Sequence, residues 1–306
     1  MKKVGIFYDD IFLLHEMPPG HPESKDRLIA INDALRKTDL WKMLIHLKPV
    51  RAEKQQILSV HTSAYLDKIS RFSGYFDADT FVSSHSVEAA LYAAGAVLEA
   101  VRKCKSGELD RAFCSVRPPG HHAENNRAMG FCIFNSVAVA ARYAQRLGYH
   151  KVFIIDFDVH HGNGTQHIFE EEESVFYFST HQYPHYPGTG AEDERGRGKG
   201  TGFTHNIPMP HGSGDKEYMT AYQDVLPSLI ADFAPDMILV SAGYDLHVKD
   251  PLAGIRVTTE GIRSIVKSIL GCGSKLPCIF CLEGGYNLTS LAESVIITIE
   301  ELLSCQ

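Results

Sequence analysis

Asp158 and His160 stand two residues apart, just after the apolar, β-rich run Lys151-Val152-Phe153-Ile154-Ile155. In extended chain such a pair points the same way, so a carboxylate and an imidazole face one point. Both are suitable zinc ligands. Asp245, after the run Met237-Ile238-Leu239-Val240, supplies a third. Three protein ligands leave a position open for water or substrate, which is the catalytic arrangement rather than the structural one. Two carboxylates and one imidazole also suit iron. Taken alone, Asp158 reads more readily as a helix cap and His160 as a core histidine. The neighbouring clusters favour a metal site.

His121 and His122 follow Pro118-Pro119-Gly120 as a tandem pair. Adjacent imidazoles can divide base and acid work on one activated water, although two exposed loop histidines would look the same in isolation. Asp156 is flanked by apolar residues, and a buried carboxylate needs a partner. It can orient one histidine or help bind a monovalent cation. Tyr286 follows Gly284-Gly285, where the missing side chains let the backbone approach a site closely. A phenol there can donate to a developing oxyanion; otherwise it is a turn tyrosine.

These clusters recur at the ends of short apolar runs. Ala112–Val116 leads into His121 and His122, 151–155 into Asp156–His161, Val175–Phe178 into Ser179-Thr180-His181, 237–240 into Asp245, and Cys278–Leu282 into Tyr286. Helix-like segments lie between them at Val87–Lys103, Asn135–Leu147, Glu217–Phe233 and Thr259–Leu270. Strands alternating with helices predict an α/β fold, a parallel sheet covered by helices on both faces. Active sites of such sheets lie beyond the carboxyl ends of the strands, so all five clusters gather at one edge. The first strand is expected just after Lys2-Lys3. Its apolar run meets Asp9-Asp10 too soon for a signal peptide.

The 306 residues, 44% apolar and 22% charged, suit one soluble domain over 1–306. The net charge of −7, with no basic run, argues against direct nucleic-acid or membrane binding. No stretch approaches the roughly 20 apolar residues of a membrane span. Seven scattered cysteines suit a reducing, cytoplasmic setting. Cys278 and Cys281 would point to opposite faces of a strand and cannot chelate one metal. The glycine-rich stretch 188–202 lacks the Ser or Thr of a phosphate loop after Gly198-Lys199, and reads as a mobile, charged surface loop.

Taken together, the motifs resemble the zinc-dependent histone deacetylase family, above all its class II branch and bacterial amidohydrolase relatives. The residues that carry the resemblance are Arg117-Pro118-Pro119-Gly120-His121-His122-Ala123-Glu124, Gly130-Phe131-Cys132-Ile133-Phe134-Asn135, Asp158 to Gln166, Ser241 to Asp245, Glu283 to Asn287, and His21-Pro22-Glu23 with Arg27. They span nearly the whole chain in the family's order. The resemblance implies an arginase/deacetylase-like fold and removal of acetyl or other short acyl groups from lysine side chains of peptides or proteins.

It also implies roles. Zinc is held by Asp158, His160 and Asp245, and polarises the acyl carbonyl together with Tyr286. His122 is the principal base and then acid, partnered by Asn163 where class I members have aspartate. His121 acts electrostatically, oriented by Asp156. Gly130 accepts from the amide N–H, Phe131 and Tyr186 flank the lysine stem, and Gly284 belongs to the substrate pocket. A structural potassium ion is implied near Asp156, Ser179 and Thr180, with backbone oxygens of Asp158 and His160. Asp79 or Asp77 is the candidate rim acid.

Leu252 stands at the gate, where polyamine-selective relatives carry glutamate. Acetylated lysine is therefore favoured over acetylpolyamines, which remain the first alternative; a non-catalytic acyl-lysine binder is the second. An arginase-type two-manganese site needs aspartates where Gly162 and His247 stand.

Overall fold

The computed structural model describes residues 2–304. Its strands in chain order are β1 (Val4–Phe7), β2 (Ile45–Leu47), β3 (Gly74–Tyr75), β4 (Phe81–Val82), β5 (Arg111–Cys114), β6 (Val152–Asp156), β7 (Val175–Gln182), β8 (Thr204–Met209), β9 (Met237–Ala242) and β10 (Cys278–Leu282). Eight of them form one sheet in the order β2-β1-β5-β10-β9-β6-β7-β8, with every pairing parallel. β3 and β4 make a small separate antiparallel pair.

All residues of β5, β6, β7, β9 and β10 are buried. A parallel sheet needs helical crossovers, which cover both faces, so its inner strands read as unbroken apolar runs rather than alternating ones. Register then aligns their ends. Asp156 pairs with Ser241 on β9 and with Ser179 on β7, and Leu282 pairs with Ala242. Chain leaving β6, β9 and β10 therefore emerges at one level, and the chemistry-bearing residues lie just beyond it.

The expected helices form at Ser86–Lys105, Ser136–Arg146 and Thr259–Cys272. Asn135 caps the second of these, its side chain accepting from the Ala138 N–H, which satisfies one of the unpaired donors of the first turn. The segment expected as one helix over Glu217–Phe233 is instead three pieces: α-helix Asp215–Met219, a π-helical stretch Thr220–Val225, and α-helix Leu226–Phe233. Pro227 lies in the first turn of the last piece and has no N–H to return to the preceding turn, which favours the break. Helices Asp26–Arg36 and Leu288–Ser304 pack on each other and were not anticipated, nor were β2 and β8.

Cys278 and Cys281 are buried free thiols, and the six cysteines among the described residues are all unpaired. Among those residues no helix is long and apolar enough to cross a membrane. The 188–202 stretch is charged and largely exposed, as expected, but its inner part is fastened. Glu194 Oε1 accepts from the Gly190 and Ala191 N–H groups at 3.0 Å each, and Oε2 accepts from Gln166 at 2.6 Å.

Candidate active site

Beyond β6 the chain carries Asp158 and His160, and beyond β9 it carries Asp245. His160 Nδ1 lies 3.1 Å from Asp158 Oδ1 and 3.1 Å from Asp245 Oδ2. The three ligand-type atoms lie within 4.8 Å of one another. Both carboxylates are buried, and two buried carboxylates facing one point require compensating positive charge. The pKa values show that demand. Burial alone lowers the His160 imidazole, but the hydrogen bonds and charges of Asp158 and Asp245 outweigh it and raise it to about 10.

The backbone is shaped to leave room at this point. A Cβ on Gly284 would meet Asp245 Oδ2 at 2.1 Å and Asp158 Oδ2 at 2.6 Å, and one on Gly243 would meet Asp158 Oδ2 at 2.0 Å. Gly284 N–H donates to Asp158 Oδ2 at 2.8 Å, and Val159 N–H donates to Asp245 Oδ1 at 3.0 Å. The donor set, its burial and this cradle fit one divalent cation with an open side toward a cavity.

That cavity has a volume of about 240 Å³. His121, His122, His160, Gly284 and Tyr286 line it together with Phe131, Tyr186, His185, Leu252 and Asp79. Gly130 and Phe131 both have positive φ, 55° and 68°. For phenylalanine that is an unfavourable backbone, held here partly by the Phe131 N–H donating to Thr80 Oγ1 at 3.2 Å. At Gly130 a Cβ would meet the His122 ring at 2.4 Å, so only glycine lets that turn sit against the histidine.

The tandem histidines separate by partner. His121 Nδ1 lies 3.0 Å from Asp156 Oδ2, whereas His122 Nδ1 lies 2.8 Å from the neutral amide oxygen of Asn163. Burial lowers both imidazoles. For His121 the carboxylates of Asp156 and Asp158 outweigh burial and hold it at about 10. For His122 burial and the charges of His121 and His160 act together and push it well below its ordinary value. One histidine is thus kept cationic and the other neutral, which separates an electrostatic role from a proton-accepting one. Burial raises the Tyr286 phenol, which therefore stays a hydrogen-bond donor.

The sequence matches the family described as the histone deacetylase domain over residues 21–302. The chain belongs to the histone deacetylase family. It is 36% identical over 294 residues to a probable deacetylase of Archaeoglobus fulgidus, covering 93% of this chain and 81% of that protein. It is 41% identical over 311 residues to the chloroplastic histone deacetylase 14 of Arabidopsis thaliana, covering 93% and 73%. The human polyamine deacetylase HDAC10 is 36% identical over 319 residues, covering 97% of this chain and 47% of that protein. Among solved structures, the HDA15 HD domain superposes with a TM-score of 0.94 at 40% identity, covering 99% of this chain and 88% of that one. The arginase/deacetylase-like fold follows directly from this likeness.

Other residues of this histone deacetylase family member find places that sequence spacing does not reveal. Asp79 lines the cavity, while Asp77 accepts from the Asp79 and Thr80 N–H groups as a turn cap. Asp156 also accepts from the Tyr177 hydroxyl at 3.1 Å and from the Asp158 N–H at 3.2 Å. The Ser179 hydroxyl pairs with His181 Nδ1 at 2.9 Å and the Thr180 hydroxyl with Tyr222 at 2.9 Å. His247 turns to Thr259 at 3.0 Å.

Several supporting groups escaped sequence reasoning. Asp250 Oδ2 accepts from the N–H groups of Tyr286 and Asn287 at 2.6 and 3.2 Å, and Oδ1 accepts from the Leu252 N–H at 3.0 Å. Tyr286 and Leu252 are thereby tied to one carboxylate. Glu283 accepts from the Gly120 and His121 N–H groups at 2.6 and 3.2 Å and joins the loops after β5 and β10. His185 stacks on His160 with centroids 5.2 Å apart. Asp250 and His185 lie outside the quoted motifs, and Glu283 opens one of them, but the partners that give these residues their roles are distant in sequence.

Gly284→Ala is expected to weaken divalent-cation binding by about 10–100-fold, the usual range for damage to the shell behind a metal's ligands. Competition against a chelator measures it. Unchanged affinity would mean that the cradle at Gly284 does not shape the ligands.

Proposed function

We propose that this protein hydrolyses the side-chain amide of acetylated lysine in peptides or proteins, using one zinc ion held by Asp158, His160 and Asp245. The observation that carries the reading is the split histidine pair, one facing a carboxylate and one a neutral amide, beside a buried three-ligand cluster whose His160 lines the same cavity. Family membership supports the hydrolase class.

Zinc, when bound, polarises the acyl carbonyl and makes water a stronger nucleophile. His122, held neutral, takes the proton from the water that attacks the carbonyl carbon. Tyr286 donates to the oxygen that becomes negative, and cationic His121 adds a favourable field. The Gly130 carbonyl accepts from the substrate amide N–H. His122 then returns its proton to the departing amine as the C–N bond breaks, leaving a carboxylic acid and an amine, which ionise to carboxylate and ammonium. Phe131 and Tyr186 flank the aliphatic stem, and Asp79 meets the substrate at the mouth. A potassium ion near Asp156, Ser179 and Thr180 is part of the same proposal. The free cysteines support a reducing, cytoplasmic setting.

Leu252 supports acyl-lysine, since an apolar gate gives a polycation no counter-charge. Acetylpolyamine hydrolysis is the second reading, favoured by the likeness to the human polyamine deacetylase. Turnover of an acetyl-lysine peptide beside N-acetylputrescine and acetylated spermidine tests both. Peptide hydrolysis is expected to vanish on metal stripping and return with zinc. Tyr286→Phe is expected to lower kcat by about 10²–10³, the cost of one oxyanion donor. Turnover of polyamines alone moves the assignment to them. No turnover by zinc-loaded protein leaves a binder of acyl-lysine.

A further inference from the structure

Asn163 is a buried amide with two nearly isosteric ends, and only one of them suits His122. Its Oδ1 accepts from His122 Nδ1 at 2.8 Å, and its Nδ2 donates to Glu124 Oε1 at 2.6 Å. Glu124 is itself buried, and the same oxygen lies 2.8 Å from His167 Nδ1. Two weaker acceptors also face Nδ2, the His122 carbonyl at 3.4 Å and Met129 Sδ at 3.3 Å.

We propose that Glu124 is a positioning residue that fixes the orientation of the Asn163 amide and, through it, the tautomer of His122. The inference rests on the reading of His122 as the proton acceptor. A carboxylate offers only acceptors, so it holds the NH₂ end of Asn163 toward itself and the oxygen toward His122. With oxygen facing Nδ1, the ring carries its proton there and keeps the Nε2 lone pair for the cavity that His122 lines. If the amide were reversed, two acceptors would oppose each other at the Glu124 contact. The NH₂ group would then face Nδ1 and favour the tautomer with the proton on Nε2. That ring cannot accept a proton from water. Holding the wrong tautomer is costly even when geometry is intact, as known for a triad whose orienting aspartate becomes asparagine. An aspartate at position 163 would need no such device, because its two oxygens are equivalent.

Four zinc-loaded proteins test this: the native chain, Glu124→Gln, Asn163→Asp, and the double variant, each assayed on an acetyl-lysine peptide. Glutamine can present either end, so Glu124→Gln is expected to lower kcat by about tenfold (about 1.4 kcal/mol) with KM little changed. In the Asn163→Asp background the sign should reverse. There the new carboxylate opposes Glu124 across a short contact, and Glu124→Gln relieves it by donating, so kcat rises. Nitrogen-15 NMR of labelled histidine should show His122 as the Nδ1–H tautomer in the native chain and a mixture in Glu124→Gln. Equal losses in both backgrounds, or an unchanged kcat and tautomer in Glu124→Gln, would overturn the proposal. A His122→Ala control separates the two readings. If it keeps the native rate, the base assignment fails, while the tautomer measurement still decides whether Glu124 orients Asn163.

Discussion

His122→Ala is expected to lower kcat by about 10²–10⁴, the range that a positioned general base contributes, while His121→Ala costs clearly less. Both rings are buried, and their centroids lie 4.0 Å apart. Position alone does not distinguish them; their partners do. His121 faces Asp156 and lies 3.8 Å from Asp158, so it stays protonated and has no lone pair to offer. A cation bound by Asp158 would remove part of that support but not the Asp156 contact. His122 faces a neutral oxygen, and burial together with the charge of His121 holds its imidazole well below the ordinary value. Steady-state kinetics on the zinc-restored variants provide the comparison. A loss in His121→Ala equal to or greater than that in His122→Ala would exchange the two roles.

Glu23→Gln is expected to destabilise the fold by about 3–5 kcal/mol, the cost of breaking a buried ion pair from one side. Glu23, Arg27 and Arg117 are completely buried. Arg117 donates to both Glu23 oxygens, through Nε to Oε1 and through Nη2 to Oε2 at 2.7 Å. Arg27 Nη1 donates to Oε1 at 3.1 Å. Arg27 also donates to the Glu283 carbonyl at 2.5 Å and to the Gly285 carbonyl at 2.7 Å, beside Tyr286. Arg117 opens the loop that carries His121 and donates to the Phe12 and His15 carbonyls at 3.0 and 3.1 Å. One carboxylate thus offsets two guanidinium groups that hold both catalytic loops.

A urea titration should show a lower midpoint at unchanged slope. Burial opposes the Glu23 carboxylate, but Arg117 and His15 hold it well below its ordinary range. A depressed carboxyl contributes its stability above the unfolded value, about 4.3, and loses it as pH falls further. The gap between native and variant protein should therefore narrow in acid. A midpoint shift worth less than about 1 kcal/mol would mean that the guanidinium groups are compensated elsewhere.

The contrast between His122 and Glu23 shows what kind of information the chain carries locally. Asp158 and His160 were expected from the two-residue repeat of extended chain, yet they lie in bends beyond β6, where the His160 N–H donates to Asp158 Oδ1 at 2.9 Å and the turn rather than the repeat sets their direction. Asp245, His121, His122 and Tyr286 were legible because a parallel sheet delivers every strand's carboxyl end to the same edge. The sheet itself was legible because strands covered on both faces must be apolar throughout. These are local rules, and the five runs obeyed them to within a few residues.

Tertiary structure alone decided which strands are neighbours, with β10 entering between β5 and β9 so that Tyr286 meets residues that precede it by more than a hundred positions. It also decided that Asp79 rather than Asp77 lines the cavity, that Asp250 anchors Tyr286, and that Glu124 stands behind Asn163. It broke the helix expected over Glu217–Phe233 into three pieces. The physical reason is common to these cases. A buried polar group must find a partner, but any group of the right chemistry will serve, and which one is within about 3 Å depends on packing that no spacing along the chain encodes.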